Sequence, residues 1–214
     1  MPRHIAILTG DLIASTAAPS AALAATMQRL AEAADEIARW GGAASAATRF
    51  TRFRGDGWQI CTAPAQSLRA AVYLHACLRA RRDLLATRIA IGLGPVDTLG
   101  SADLSDARGA ALVASGHALD GMRRSRVLAI AGPGIDARDR IILQLIEDIL
   151  RRWTRPQAEA AALMLTIPAP TLDEAGRRLG ITPQAVNDRL TKGGVQSLRD
   201  ALAMWEEDRE AQQP

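Results

Sequence analysis

The chain has 214 residues, 48% of them apolar and 23% charged, and a formal net charge of +3. That length suits one large domain or a medium domain with a small one, and the composition is ordinary for a soluble globular protein. No apolar run approaches the roughly 20 residues of a membrane-spanning helix. The run after Met1-Pro2-Arg3-His4 stops at Gly10-Asp11 and does not read as a secretory leader. A balance of +3 is by itself too slight to signal nucleic acid.

Aromatic residues make up only 3%, so the core must come from Ala, Leu, Ile and Val, and Lys192 is the only lysine. Cys61 and Cys77 stand far apart with no CxxC pair. Without a leader they are expected as reduced thiols of a cytoplasmic protein.

In chain order, HIAILT at 4–9 is too short for a helix and reads as a buried strand ended by Gly10-Asp11. Pro19 and Ser20 open an alanine-rich helix to about Trp40, stopped by Gly41-Gly42. Residues 48–54 and 58–62 read as paired strands around the turn Gly55-Asp56-Gly57. Pro64 begins a helix carrying Leu68, Val72, Leu74 and Leu78, and TRIAIGL at 87–93 is a further strand. A polar loop at 94–108 holds Asp97, Asp103 and Asp106; a helix at 109–122 and a short strand at 125–131 follow. The order β-α-β-β-α-β-α-β predicts a ferredoxin-like α+β fold, a mostly antiparallel sheet with helices covering one face. The chain divides as a ferredoxin-like domain at 1–135, a connecting helix at 136–155 and an all-α domain at 156–214.

The sharpest local motif lies in that last part. Thr171 and Glu174 form a capping box for a helix with Leu172, Ala175 and Leu179 that ends at Gly180. Ile181 plugs the turn; Thr182 caps a second helix that begins with Pro183 and turns Val186 and Leu190 inward. Two short helices joined in this way make a helix-turn-helix. Between Arg151 and Arg199 there are eight Arg/Lys against four Asp/Glu, a balance of +4, which the acidic end at 206–210 offsets. The same pair of helices would also serve as a hairpin for dimerisation or protein contact.

TLDEAGRRLGITPQAVNDRLTKGG at 171–194 resembles the sigma-factor-type helix-turn-helix, including the upstream helix RPQAEAAALML at 155–165. The resemblance makes 182–192 the recognition helix. It implies Gln184 and Asn187 at base edges in double-stranded DNA, and Arg177, Arg178, Arg189 and Lys192 at phosphates, with Thr182 at the helix start.

Asp11 follows the first strand and Asp56 sits in the central turn, two points that a split βαβ fold brings together. Two carboxylates there are a candidate Mg²⁺ site. GDLIAST at 10–16, RGDGWQI at 54–60, RIAIGLG at 88–94 and GAALVASGH at 109–117 resemble class III nucleotide cyclases, whose domain is of the palm type. By spacing, however, Val113 and His117 stand where the cyclase pattern has an Asn and an Arg, and the first domain has no lysine to select a base. That argues against cyclisation.

GDLIAS, the GD-x-x-Q turn at 55–59, the R-I-x-I-G-x-G strand and Ala118-Leu119 together resemble the SatD family, a bacterial group whose members tend to end in a helix-turn-helix. Its turn usually reads GDEFQ, so Gly57 replaces an expected glutamate.

The resemblances imply a transcriptional regulator whose first domain dimerises and senses a nucleotide or other small ligand through Gly10, Asp11, Asp56 and His117. The alternatives are a divergent Mg²⁺-dependent cyclase or nucleotidyltransferase with a helix-turn-helix appendage, and a non-catalytic scaffold for protein partners. Gly92 and Gly94 would admit a nucleotide or simply meet a backbone need. His4, His75 and His117 lack zinc-ligand spacing, His75 reads as a core or edge residue, and Trp58 reads as a packing residue.

Overall fold

A computed structural model describes residues 3–41, 47–53 and 55–211. Met1 and Pro2, Gly42 of the expected helix stop, and Arg54 of the second aspartate motif lie outside the described residues. The architecture is a mixed α+β domain with an open sheet, followed by a mostly helical region.

The strands are β1 (Arg3–Leu12), β2 (Thr51–Phe53), β3 (Gly57–Thr62), β4 (Thr87–Thr98), β5 (Arg108–Gly109) and β6 (Leu128–Ala131). They run in the order β2-β3-β1-β4-β5, with β6 also pairing β4. All the pairings are antiparallel except the parallel β4–β6 pair. β1 is central, and its apolar run is continuous because both of its faces are buried. Ala6 and Leu8 belong to the large core, while Ile5 and Ile7 belong to a second, smaller cluster with Val96 and Ala111.

The helices of this domain are α1 (Ser20–Arg39), α2 (Ser67–Arg79) and α3 (Ala110–Asp120). The sequence predicts helices on one face only. Instead α1 and α2 cover the face of Ala6 and Leu8, and α3 covers the other. Gly92 permits this, because a Cβ there would lie 2.2 Å from the Ala111 carbonyl oxygen and 2.4 Å from the Ser115 nitrogen. A polar link seats α3 further, with the Thr9 and Ser115 hydroxyls 2.7 Å apart and Gln59 donating to Thr9 at 3.1 Å.

The helical region comprises α4 (Ala137–Arg152), α5 (Arg155–Met164), α6 (Leu172–Leu179), α7 (Pro183–Lys192) and α8 (Val195–Ala211). Asp136 caps α4 by accepting from the Arg138 and Asp139 amides. The region does not hang free, since one apolar cluster runs from the sheet through α2 into α5, α7 and α8. Trp153, 1% exposed, fills the junction and donates its indole N–H to the Gly193 carbonyl at 2.7 Å. Truncating a buried tryptophan of this kind costs roughly 3–5 kcal/mol. Arg69 of α2 makes a two-pronged pair with Glu206 of α8, and the buried pair Asp139–Arg209 ties α4 to α8.

Candidate functional site

Two short-range devices build the α6–α7 unit. Thr171 Oγ1 accepts from the Glu174 amide at 3.2 Å while Glu174 accepts from the Thr171 amide at 2.8 Å, closing the expected capping box. Gly180 ends α6 in the left-handed region at φ 67°, and the Ile181 amide returns to the Gly176 carbonyl at 3.0 Å. Thr182 then caps α7 by accepting from the Ala185 amide at 3.2 Å. Val186 and Leu190 are buried as anticipated, and Ile181 packs against the same core.

The outer face of α7 carries Gln184, Asn187, Asp188, Thr191 and Lys192, all exposed, with Arg177 and Arg178 exposed at the end of α6. Thr182 is also exposed, but its hydroxyl is taken up by the cap. Arg189 departs from the rest: it turns to Glu159 of α5 at 3.3 Å and is only 26% exposed, so it braces α7 rather than standing open to phosphate. Asp188 brings an acid to this face. Its carboxylate repels phosphate but suits a cytosine amino group.

The two candidate metal ligands sit at neighbouring backbone positions. Asp11 lies opposite Gly57 in the β1–β3 register, so Asp56 is one residue from its cross-strand partner. Each carboxylate already has a protein partner. Arg88, opposite Asp11 on β4, forks onto it with Nε 2.8 Å from Oδ1 and Nη2 on Oδ2. Asp56 accepts from the Ser15 hydroxyl. The hydrogen bonds to Asp11, with Asp120 and Asp56 acting at longer range, hold the Arg88 guanidinium above its ordinary range against the cost of desolvation. An arginine forked onto Asp11 supplies the positive charge a divalent cation would supply. The pair therefore does not fit a two-carboxylate Mg²⁺ site.

Gly10 is covered by the Trp58 indole, which would meet a Cβ at 2.4 Å. Trp58 is fully buried and donates to Thr87 at 3.0 Å, and Thr87 in turn donates to the Asp11 carbonyl at 2.7 Å. It is thus the packing residue the sequence suggests. His117 and Val113 are exposed on α3. His117 lines a different cleft, which neither Asp11 nor Asp56 lines.

That cleft lies between α3, β6 and α4 and has a volume of about 720 Å³. Arg123, Arg126, Arg140 and Arg151 line it around the fully buried Glu147. Glu147 accepts from Arg126 Nε at 2.7 Å and from Arg151 Nη2. None of these five residues was singled out from the sequence, although three arginines within four positions at 123–126 are a visible signal.

Asp103 caps its own turn, accepting from the Ser105 amide and hydroxyl, and these bonds hold its carboxyl below the usual range. Asp97 and Asp106 are exposed. Among the described residues no three His, Cys, Asp or Glu side chains are grouped to hold a metal ion, and no helix is long and apolar enough to cross a membrane. Both cysteines are buried and unpaired. No protein-family profile matches the chain, and no curated protein matches it.

Proposed function

We propose that the chain is a DNA-binding transcriptional regulator that reads the major groove with α7. The observation carrying this is the two-sidedness of that helix. Val186 and Leu190 anchor it to its helical neighbours, while Gln184, Asn187 and Lys192 stand outward in solvent. Gln184 and Asn187 are one turn apart, and a side-chain amide suits the paired donor and acceptor on the adenine edge. Lys192, Arg177 and Arg178 flank them where phosphates would lie.

The strand order β2-β3-β1-β4 supports a ferredoxin-like, cyclase-related assignment for the first domain, and the SatD-like motifs point the same way. Ile141 and Leu145, 60% and 62% exposed and one turn apart on α4, offer a seat for a second copy. Two copies would address two half-sites about one helical turn apart. The fork of Arg88 on Asp11 weighs against the Mg²⁺-dependent enzyme; a pure protein scaffold would leave the outward amides of α7 without a role.

Selection from a pool of random duplexes tests the proposal. The unaltered chain is expected to enrich a sequence motif. The double variant Gln184→Ala/Asn187→Ala should lose that preference while keeping weak general binding. Failure of the unaltered chain to enrich any motif contradicts the proposal.

A further inference from the structure

β6 is an edge strand. It pairs with β4, and among the described residues no strand pairs with its other side. Since the Ile89 amide donates to the Val127 carbonyl, the alternation of a parallel ladder turns Val127, Ala129 and Ala131 toward β4. The backbone groups of Leu128 and Ile130 then point the other way, toward α4. The Leu128 amide finds the Glu147 carboxylate at 3.4 Å. The Leu128 carbonyl and the Ile130 amide and carbonyl are left facing the cleft that α3 and α4 wall in.

Four arginines stand around that edge. Arg126 engages Glu147 through Nε alone, leaving both Nη groups. Arg151 uses Nη2 for Glu147 and for the Ser125 carbonyl, leaving Nε and Nη1. Arg123 and Arg140 are exposed and form no ion pair among the described residues. Within the cleft the acids are Glu147, already engaged by two arginines, and Asp148, paired with Arg152 at 2.6 Å. His117 adds a fifth nitrogen donor at the rim. Buried Glu147 thus fixes two guanidinium forks, and the donors left over belong to residues that line the cleft.

We propose that this cleft binds a small phosphate-bearing metabolite of nucleotide size. Guanidinium forks match phosphate geometry. The outward amide and carbonyl groups of β6 offer a donor–acceptor edge to a base or amide, as an unpaired strand edge does. A volume of about 720 Å³ lies within the range of small-molecule sites. Such a ligand would bridge Arg123 and Arg126 of the αβ domain to Arg140 and Arg151 of α4. Because α4 leads through Trp153 into α5 and the α6–α7 unit, occupancy would favour one setting of the helical region. That consequence rests on the regulator proposed above; the site itself does not.

Calorimetric titration of the full chain with ATP, adenosine and tripolyphosphate tests the site. ATP is expected to bind saturably, with tripolyphosphate competing and adenosine much weaker. Arg123→Ala/Arg140→Ala removes two exposed, unpaired side chains and should weaken ATP by about tenfold or more. Arg177→Ala/Arg178→Ala, on the α6–α7 unit, should leave ATP binding unchanged. The proposal is overturned if neither ATP nor tripolyphosphate binds, if the cleft variant binds like the unaltered chain, or if the α6 variant is the one that loses binding. Failure of the unaltered chain to recognise DNA, with ATP binding intact, would refute the regulator and leave this site standing.

Discussion

Burial controls the chemistry of the two thiols. Desolvation pushes Cys77 up to about 11 and raises Cys61 above its ordinary value, with nearby arginines opposing the rise in both cases. Thiolate is the reactive form, so both side chains should resist iodoacetamide at pH 8 in the folded chain and react readily in denaturant. Rapid labelling of either one under native conditions would contradict the burial described here. At the same scale, Asp11 and Asp56 were legible as neighbours because the GD turn and the first strand are local signals. The partners that hold them were not. Arg88 and Ser15 meet them only through strand register and a short 3₁₀ turn at Ser15–Ala17, which hydropathy does not encode. Trp58 was legible, since a tryptophan beside glycines in a hairpin has few other places to go.

Among the elements, α6 and α7 read most clearly from sequence. Their ends are set within a few residues by Thr171, Glu174, Gly180, Thr182 and Pro183. The two-residue β5 carries no periodicity, and α8 falls in the expected all-α domain without bounds of its own. Its buried stripe of Leu198, Leu202, Trp205 and Arg209 is nonetheless helical in spacing, so that signal was present. The placement of α3 on the second face depended on Gly92 and on the pairing of two hydroxyls, which are facts of packing.

The α2–α4 junction makes a prediction of its own. His75 of α2 is hydrogen-bonded to the Leu150 backbone and lies 6.5 Å from the Trp153 ring. Desolvation is the largest influence on its ring and lowers its pKa from 6.5 to about 4, while its Nε2 has no partner. The ring is therefore neutral when folded, and the unfolded chain protonates first as pH falls through 6.5. Stability should drop between pH 6.5 and about 4, by at most roughly 3 kcal/mol from this group. Urea midpoints for the unaltered chain and His75→Leu should diverge over that window, with the variant showing the flatter profile. Parallel profiles would contradict a neutral, buried His75.

At the scale of the molecule, the helical region is fixed to the αβ domain by the Arg69–Glu206 pair and by Arg79, which donates to the Trp153 carbonyl at 2.9 Å. These contacts involve α2, the end of α4 and α8 and leave the outer face of α7 open. The arginines around Glu147 lie at the root of α4, on the route between the sheet and α5. Sequence periodicity delivered the α+β half and the helical half; contacts between them, such as Arg69 with Glu206, join residues distant along the chain and were not readable in advance. What the whole arrangement stands or falls on is whether the open face of α7 meets duplex DNA. Fluorescence anisotropy with a labelled duplex across a salt series measures that directly. The unaltered chain should bind with an affinity that falls linearly on a log–log plot against salt. Lys192→Ala should lower the slope by about 1, and Arg177→Ala/Arg178→Ala by about 2. No duplex binding at low salt, or slopes that these substitutions leave unchanged, would contradict the account.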